Sequence, residues 1–281
     1  MDFSFDYART RVRLFFYRTW FKINKKKVKE LFRKREENGI LNIPVFIVSY
    51  NRLSYLQQMI VQLEKMGLNN IHIIDNASSY PPLLEYYETC QHKVHLMHEN
   101  QGHMVFWREK EFEQYRRDFY IVTDPDLAMI EDCPLDIVDT MFFELREHPY
   151  VKKIGPSLVV DDISPDTEYG KSILSVEMPY YTHRLKGSNL YYAPIDTTFA
   201  LYLPDSISKH INFFEAFRMG CPYQMRHLPW YKSSESLTQE DIYYEEHKTN
   251  GWWNVLEGTV SKDMRKRDRI KEFVKKCFKC I

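Results

Sequence analysis

The chain of 281 residues lacks the signatures of several common protein classes. Its five cysteines have no regular spacing, so they form no disulfide framework, and their odd number fits a reducing compartment. The lone Cys277-x-x-Cys280 pair at a charged chain end is too little to predict a metal or redox site. No Gly-x-Gly-x-x-Gly follows the first apolar run and no Walker loop occurs, so redox dinucleotide and phosphate-loop functions fit poorly.

Charge is distributed unevenly, although 39 basic and 39 acidic residues cancel overall. Residues 1–43 carry 12 Lys or Arg against 5 Asp or Glu, and residues 261–281 carry 9 against 3. The acidic middle, residues 44–260, holds 18 basic and 31 acidic residues, with all ten histidines. Nucleic-acid-binding proteins place basic residues along the functional face, so we expect no nucleic-acid partner. This charge distribution favours a protein whose acidic central part, residues 44–260, binds a cation.

Both ends of the chain, residues 1–43 and 261–281, are predicted to be basic helical segments. The stretch 7–37 is too charged to span a bilayer and lacks the apolar centre of a signal peptide. Its mixture of aromatic and basic residues is typical of an interfacial helix, but equally of a helix that packs its aromatic side on the domain. We expect a cytoplasmic protein whose basic ends allow peripheral binding to the inner face of the cell membrane.

The part of the chain between residues 44 and 135 alternates apolar runs with amphipathic stretches. Strands are predicted over 43–48, 71–74, 94–97 and 119–123, and helices over 53–66, 82–90 and about 105–115. Continuous apolar runs are typical of strands buried on both faces of a parallel sheet. The alternation predicts an α/β fold with a mostly parallel central sheet. It fades after residue 156, so residues 136–260 are expected to form a second half with a different organisation.

Polar residues follow each of these four strands. They are Ser49, Tyr50, Asn51 and Arg52 after the first, Asp75 and Asn76 after the second, Asn100 and Gly102 after the third, and Asp124 and Asp126 after the fourth. Ligands of open α/β sheets bind outside the carboxyl ends of the strands. Paired carboxylates at such an edge are hard oxygen ligands of the kind that Mg²⁺ or Mn²⁺ requires. Asp and Pro are also ordinary turn residues, but four polar strand ends together favour a metal site.

The order of these motifs resembles a known family. Ile47-Val48-Ser49-Tyr50-Asn51-Arg52, Ile74-Asp75-Asn76-Ala77-Ser78, Asn100-Gln101-Gly102 and Asp124-Pro125-Asp126 look like the nucleotide-binding half of GT-A glycosyltransferases. The chain is similar to glycosyltransferase family 2 over residues 44–135 and more loosely to about 255. Typical members often have Pro where Val48 or Ser49 stands.

The resemblance implies a GT-A fold and a nucleotide-sugar donor. It implies that Ser49, Tyr50, Asn51 and Asp75 contact the nucleoside, and that Asp124 and Asp126 lie at the ribose and at a divalent metal, Mn²⁺ or Mg²⁺. We also expect Arg52, Asn76, Asn100 and Gly102 to belong to this donor site.

Residues 136–260, the second half, are expected to bind the acceptor of the sugar and to carry the catalytic base. Asp196 is the candidate for that base. It stands between apolar flanks, and partly apolar surroundings raise the pKa of a carboxyl and make it a better base. GT-A enzymes place the acceptor-side acid after the Asp-x-Asp motif, which Asp196 fits. A turn residue bonded to Thr198 is the alternative. Asp241 is a second candidate, but its charged surroundings resemble a helix start.

The segment 225–231 supplies further candidates. Many GT-A enzymes take a metal ligand from a C-terminal histidine, which the resemblance assigns to His227, although a structural histidine is the alternative; imidazole suits Mn²⁺ better than Mg²⁺. Arg226 is expected to pair with the diphosphate. Several other aromatic residues and one histidine could contact a sugar, or could be core and capping residues: Trp230, Tyr231, Trp252, Trp253 and His103.

Together with these residues, the resemblance implies a metal-dependent, inverting glycosyltransferase. It would move a hexose from a nucleotide-diphosphate sugar, most simply a UDP-sugar, to a saccharide or lipid-linked saccharide in surface polysaccharide biosynthesis. Two alternatives stay open. A sugar nucleotidyltransferase usually carries a Gly-rich basic loop after the first strand, which this chain lacks, and a catalytically inactive module would bind a nucleotide or carbohydrate without turnover.

Overall fold

The structure is a computed structural model that describes residues 19, 22–205, 215–248, 253–254 and 259–260. Its strands are β1 Val45–Ser49, β2 Ile71–Asp75, β3 Lys93–Leu96, β4 Tyr120–Thr123, β5 Leu127–Met129, β6 Lys153–Leu158, β7 Leu190–Tyr192, β8 Ala200–Tyr202, β9 Ala216–His227, β10 Trp253–Asn254 and β11 Thr259–Val260. The helices discussed are α1 Lys25–Glu37, α2 Leu53–Lys65, α3 Pro81–Thr89, α4 Val105–Arg108, α5 Ile137–Glu147, α6 Glu168–Glu177 and α7 Gln239–His247.

Nine strands form one mixed sheet in the order β3-β2-β1-β4-β8-β6-β9-β5, with β7 also paired to β9. Strands β3, β2, β1 and β4 are mutually parallel, and the pairings show that β6 and β9 run the same way. Strands β5, β7 and β8 run in the opposite direction. The predicted α/β class with a mostly parallel sheet is confirmed, and both predicted halves contribute strands to it.

The first four strands lie where the apolar runs predict them. Every residue of β1, β2 and β4 is buried, as expected for strands covered on both faces. The edge strand β3 is only partly buried.

The long helix predicted over 105–115 is wrong, because α4 ends at Arg108 and short single turns follow. Val105, Phe106 and Trp107 are buried side by side, which one face of a continuous helix cannot achieve.

The described part of the N-terminal segment packs on the domain. Val28 and Phe32 of α1 are buried, and the Phe32 ring lies 4.8 Å from Phe119 and 5.2 Å from Phe142. Arg35 forms an ion pair with Asp118. The alternative in which aromatic residues pack on the domain therefore applies to α1. The rest of the predicted N-terminal segment and the tail 261–281 lie outside the described residues. Among the described helices, none has the length and apolar character needed to cross a membrane.

Strands β2 and β3 bring two histidines together near the edge of the sheet. His72 Nδ1 lies 3.0 Å from His95 Nε2, and the two rings stack with their centroids 5.3 Å apart. Burial, reinforced by the charges of His95 and Lys93, lowers the pKa of His72 to about 4. Burial also lowers the pKa of His95, although Glu111 opposes this.

The low pKa of His72 predicts acid sensitivity. Between pH 6.5, its ordinary pKa, and about pH 4, the unfolded chain binds a proton that the folded chain does not. The free energy of unfolding should therefore fall as the pH drops through this window, by up to about 3 kcal/mol from this residue. Urea unfolding between these pH values, on wild type and His72→Gln, measures the effect. The variant should show a flatter slope, whereas His98→Gln, at an exposed site, should not. Equal slopes for wild type and His72→Gln would contradict the assignment.

Candidate functional site

Asp124 and Asp126 lie at the carboxyl edge of the sheet, directly after β4. Because β4 is parallel to β1, which is parallel to β2, the polar residues after these strands meet at the same edge. Thr123 is fully buried, and its Oγ1 donates a hydrogen bond to the Asp124 carbonyl at 2.9 Å. Pro125 between the acids is buried. The tripeptide is therefore held firmly against the end of the sheet.

The pairing of β5 with β9 places His227 beside Asp126. Leu127 lies opposite His227 in this antiparallel pair, and the Leu228 amide donates to the Asp126 carbonyl at 2.9 Å. His227 Nε2 is then 3.6 Å from Asp126 Oδ2. Asp126 Oδ1 and His227 Nδ1 are buried and make no hydrogen bond within the part of the chain that the structure describes. Two unsatisfied buried atoms at one edge are uncommon in folded proteins.

The charged form of the Asp124 carboxyl is disfavoured at this edge. Burial raises the pKa of Asp124 well above its usual value, the charge of Asp126 and, more weakly, that of Asp196 add to this, and a hydrogen bond from Thr197 opposes it. Thr197 Oγ1 donates that bond to Asp124 Oδ2 at 2.6 Å. Burial lowers the pKa of His227 although Asp126 opposes it, so a neutral imidazole faces the acids. Concentrated negative charge beside a neutral imidazole suits a divalent cation.

A divalent ion can be tested against these distances. Two metal–ligand bonds of about 2.1 Å span at most about 4.2 Å, so one ion can contact both His227 Nε2 and Asp126 Oδ2. Within residues 22–205 and 215–248, however, no cluster of three or more His, Cys, Asp or Glu side chains is arranged to hold a metal. Asp126 and His227 therefore fit as a two-residue site with Asp124 nearby, and the described residues supply no third side chain of these four types in a metal-binding arrangement.

Asp196 differs from its expected environment. It follows β7 in the turn that leads to β8, and its side chain is exposed while its neighbours Ile195 and Thr197 are buried. The partly apolar surroundings expected from the sequence are not found, because alternate residues of this turn face inward. Its charge still acts on Asp124 and on His227, which places the carboxylate close to the acidic edge, the part of the carboxyl edge of the sheet that carries Asp124 and Asp126.

Lys153 is a buried residue of this region that sequence reasoning missed. Its Nζ donates hydrogen bonds to the Asp196 carbonyl at 3.2 Å and to the Tyr202 hydroxyl at 3.1 Å. Burial lowers the pKa of Lys153 to about 7, although the charge of Asp196 opposes this. Lys153 thus fixes the turn whose Thr197 holds Asp124. A lysine at a strand start normally predicts a solvent-exposed side chain, so the sequence carries no signal for this role.

The predicted nucleoside-binding residues lie together, but most of them already bond to neighbouring loops. Three hydrogen-bonded sets are formed: Asn51 Oδ1 accepts from the Ser79 and Tyr80 amides, Asp75 accepts from the Ser78 amide and the Tyr87 hydroxyl, and Asn76 bonds to Gln101 and Gly102. Asn100 Oδ1 accepts a hydrogen bond from the Gly102 amide. Gly102 has a φ of +72°, a backbone conformation that favours glycine. These side chains therefore shape the loops after β1, β2 and β3. Asn51 Nδ2 is buried and donates to none of the described residues.

Helix α7 covers the end of β1. Arg52 forms a buried ion pair with Asp241, and its guanidinium lies 3.9 Å from the centre of the Tyr244 ring. Glu240 accepts hydrogen bonds from the first amides of α2, at Leu53 and Ser54, and the Tyr50 hydroxyl donates to the last residue of α7. Arg52 is thus engaged by α7, which sequence reasoning did not foresee.

Asp241 is a helix-capping residue. It forms a capping box with Thr238 at the start of α7, as its charged surroundings indicated. Burial would raise the pKa of Asp241, but hydrogen bonds from Thr238 and Lys232 and the charge of Arg52 lower it to about 2. A carboxylate with this pKa is a poor base near neutral pH.

Arg226 does not join the acidic edge. Neighbouring strand residues face opposite sides of a sheet, so Arg226 and His227 diverge. The Arg226 guanidinium instead bonds twice to Asp162, at 3.1 and 2.8 Å. Trp230 is buried with its ring 4.9 Å from that of His227, whereas Tyr231 is partly exposed. His103 is exposed, and the side chains of Trp252 and Trp253 lie outside the described residues.

The buried amine of Lys153 predicts an unusual pH dependence of stability. Between about pH 7 and pH 10.5, its ordinary pKa, the unfolded chain binds a proton that the folded chain lacks. The free energy of unfolding should therefore rise with pH in this window, by about 1.4 kcal/mol per pH unit, because the penalty for burying this amine disappears. Lys153→Met should lose this slope in urea unfolding, whereas Lys171→Met, at an exposed helix position, should keep it. If Lys153→Met keeps the wild-type slope, the amine is charged in the folded protein and the assignment is wrong.

No protein-family model matches the chain, and no curated protein matches it either. Function must therefore be inferred from the chemistry of the residues at this edge.

Proposed function

We propose that this protein is a metal-dependent, inverting glycosyltransferase of the GT-A type, similar to glycosyltransferase family 2. It transfers a hexose from a nucleotide-diphosphate sugar, most simply a UDP-sugar, to a saccharide or lipid-linked saccharide of a surface polysaccharide. The observation that carries the proposal is the approach of His227 to Asp126 beside Asp124, with buried polar atoms left unpaired.

Asp126 and His227 would hold the divalent cation, and Asp124 would add negative charge beside it. The buried imidazole favours Mn²⁺ over Mg²⁺. When bound, the ion would stabilise the departing diphosphate as a Lewis acid. Two protein ligands leave coordination positions for diphosphate oxygens, which fits an ion shared between protein and donor.

The donor nucleoside would bind at the ends of β1 and β2. Asn51 and Asp75 stand at adjacent strand ends, and the loops that they organise border the acidic edge. Asn51 Nδ2 offers a donor that no described residue uses. Ser49, Tyr50 and Arg52 line the same loop under α7 and complete the proposed nucleoside site.

Asp196 is the proposed base that removes the proton from the acceptor hydroxyl. Its exposed carboxylate is free to meet an incoming acceptor, and its charge is felt by both Asp124 and His227. Lys153 and Thr197 hold its turn in place from the buried side. An exposed base near the metal-binding acids suits attack on the sugar from the side opposite the leaving diphosphate.

Asp126→Asn tests the proposed cation site. Release of the nucleoside diphosphate from a panel of nucleotide sugars is measured with Mn²⁺, and with a chelator. The variant should lose activity about a hundredfold or more, because several kcal/mol of leaving-group stabilisation disappear. It should also bind Mn²⁺ more weakly by titration calorimetry. Asp162→Asn, which breaks the Arg226 ion pair away from the acidic edge, is the matched control and should keep both properties.

The donor panel also separates the alternatives. Turnover that is unaffected by the chelator would reject the metal mechanism. Donor binding without turnover for any sugar would indicate an inactive binding module, and formation of a nucleotide sugar from a sugar phosphate would indicate a nucleotidyltransferase.

Asp196→Asn tests the proposed base independently of the metal. Loss of a general base lowers kcat by about a hundredfold to ten-thousandfold, whereas Mn²⁺ affinity and donor KM should change little. Asp161→Asn, another exposed acid, serves as the control. An unchanged kcat in Asp196→Asn would remove Asp196 from the mechanism without affecting the assignment of Asp126 and His227.

A further inference from the structure

A strongly basic surface precedes and covers the first half of α1. We call this surface the lysine face; it extends around more than one exposed side of the helix and consists of five exposed residues: Lys22, Lys25, Lys26, Lys27 and Lys29. Residues 22–34 carry seven basic residues and a single acid, Glu30. Glu30 is paired with Arg33, at 2.7 Å, so the segment keeps a large excess of positive charge.

The orientation of the lysine face is set by the packing of α1. Val28 and Phe32 are buried against the domain, and the Phe32 ring contacts Phe119 and Phe142. Because these apolar residues are already covered, α1 cannot turn them into a bilayer without leaving the domain. The five lysines are therefore exposed to solvent on a helix whose position on the domain is fixed.

The sequence on both sides of Lys22 contains apolar as well as basic residues. Ile23, between Lys22 and Lys25, is 79% exposed. The preceding 21 residues of the sequence contain four arginines and eight aromatic residues, among them Trp20 and Phe21. Aromatic and basic residues together are typical of segments at a membrane interface.

We propose that the lysine face docks this protein on the surface of an anionic lipid bilayer, by electrostatic attraction and without insertion of α1. Each lysine near such a surface contributes attraction that extends over about one Debye length. The five lysines lie within eight residues of the sequence, whereas residues 44–260 hold 31 acidic and 18 basic residues, which would repel a nucleic acid that extended over them. The charge distribution therefore favours a planar anionic partner over a nucleic acid.

The test is co-sedimentation of the full chain with lipid vesicles. Wild type should bind phosphatidylcholine vesicles that contain about a quarter phosphatidylserine, and should not bind pure phosphatidylcholine. Binding should be lost at about 0.5 M salt, where the Debye length is short. Replacement of all five lysines of the lysine face by Gln should weaken partitioning by roughly a hundredfold or more. Gln and Lys have similar helix propensities, and circular dichroism verifies that α1 is retained.

A second variant removes the same amount of positive charge from other parts of the protein surface. It replaces five other exposed lysines by Gln: Lys65, Lys93, Lys110, Lys171 and Lys186. This variant should bind within about threefold of wild type if the lysine face is the docking surface, since distant charges are screened. Equal losses in both variants would show a net-charge effect and overturn the proposal. Binding by the lysine-face variant would place the contact elsewhere, for example in the tail 261–281. Binding that survives high salt, or equal binding to neutral vesicles, would reject the electrostatic mechanism.

Discussion

The antiparallel pairing of β5 with β9 is the interaction on which the candidate site depends. Asp126 immediately precedes β5 and His227 ends β9, so the register that places Leu127 opposite His227 also sets the distance between the two side chains. A slip of one residue would turn His227 to the other face of the sheet. Backbone hydrogen bonds between two strands far apart in the sequence thus determine the chemistry at the edge.

Buried polar groups hold the residues of the acidic edge in place through hydrogen bonds. Lys153 holds the carbonyl of Asp196, and the next residue, Thr197, donates to Asp124. Burial and repulsion by Asp126 nevertheless raise the pKa of Asp124, so its charged form is disfavoured unless a cation lies beside it. Such a site exchanges part of the stability of the folded state for affinity toward a positively charged ligand.

Local sequence patterns predict the first half of the fold well. Apolar runs and polar strand ends locate β1, β2, β3 and β4 to within a residue or two, because strands buried on both faces have a distinctive composition. The same patterns bring Asp75 and Asp124 to one edge, since parallel strands align their carboxyl ends.

Features set by distant contacts are not predictable in this way. The position of Arg52 beneath α7 depends on Asp241, which lies 189 residues away. The burial of Lys153 depends on β8 and on the turn at Asp196, and the exposure of Asp196 depends on which alternate residues of its turn face inward. Arg226 was expected at the diphosphate, but strand alternation directs it to Asp162. None of these outcomes is encoded in the neighbouring sequence.

The short connection from β4 to β5 limits how the sheet can be shaped. Four strand spacings would separate these strands by about 19 Å in a flat sheet. The chain from Thr123 to Leu127 takes four steps and can span at most about 14 Å. The sheet must therefore curve so that β5, at its far edge, comes close to the end of β4. Gln62 of α2 hydrogen-bonds to the backbone of Leu127 and Met129 in β5. The short connection thus fixes Asp126 between β4 and β5, and the pairing of β5 with β9 holds His227 beside it before any ion arrives, so little conformational entropy is left to lose when one binds.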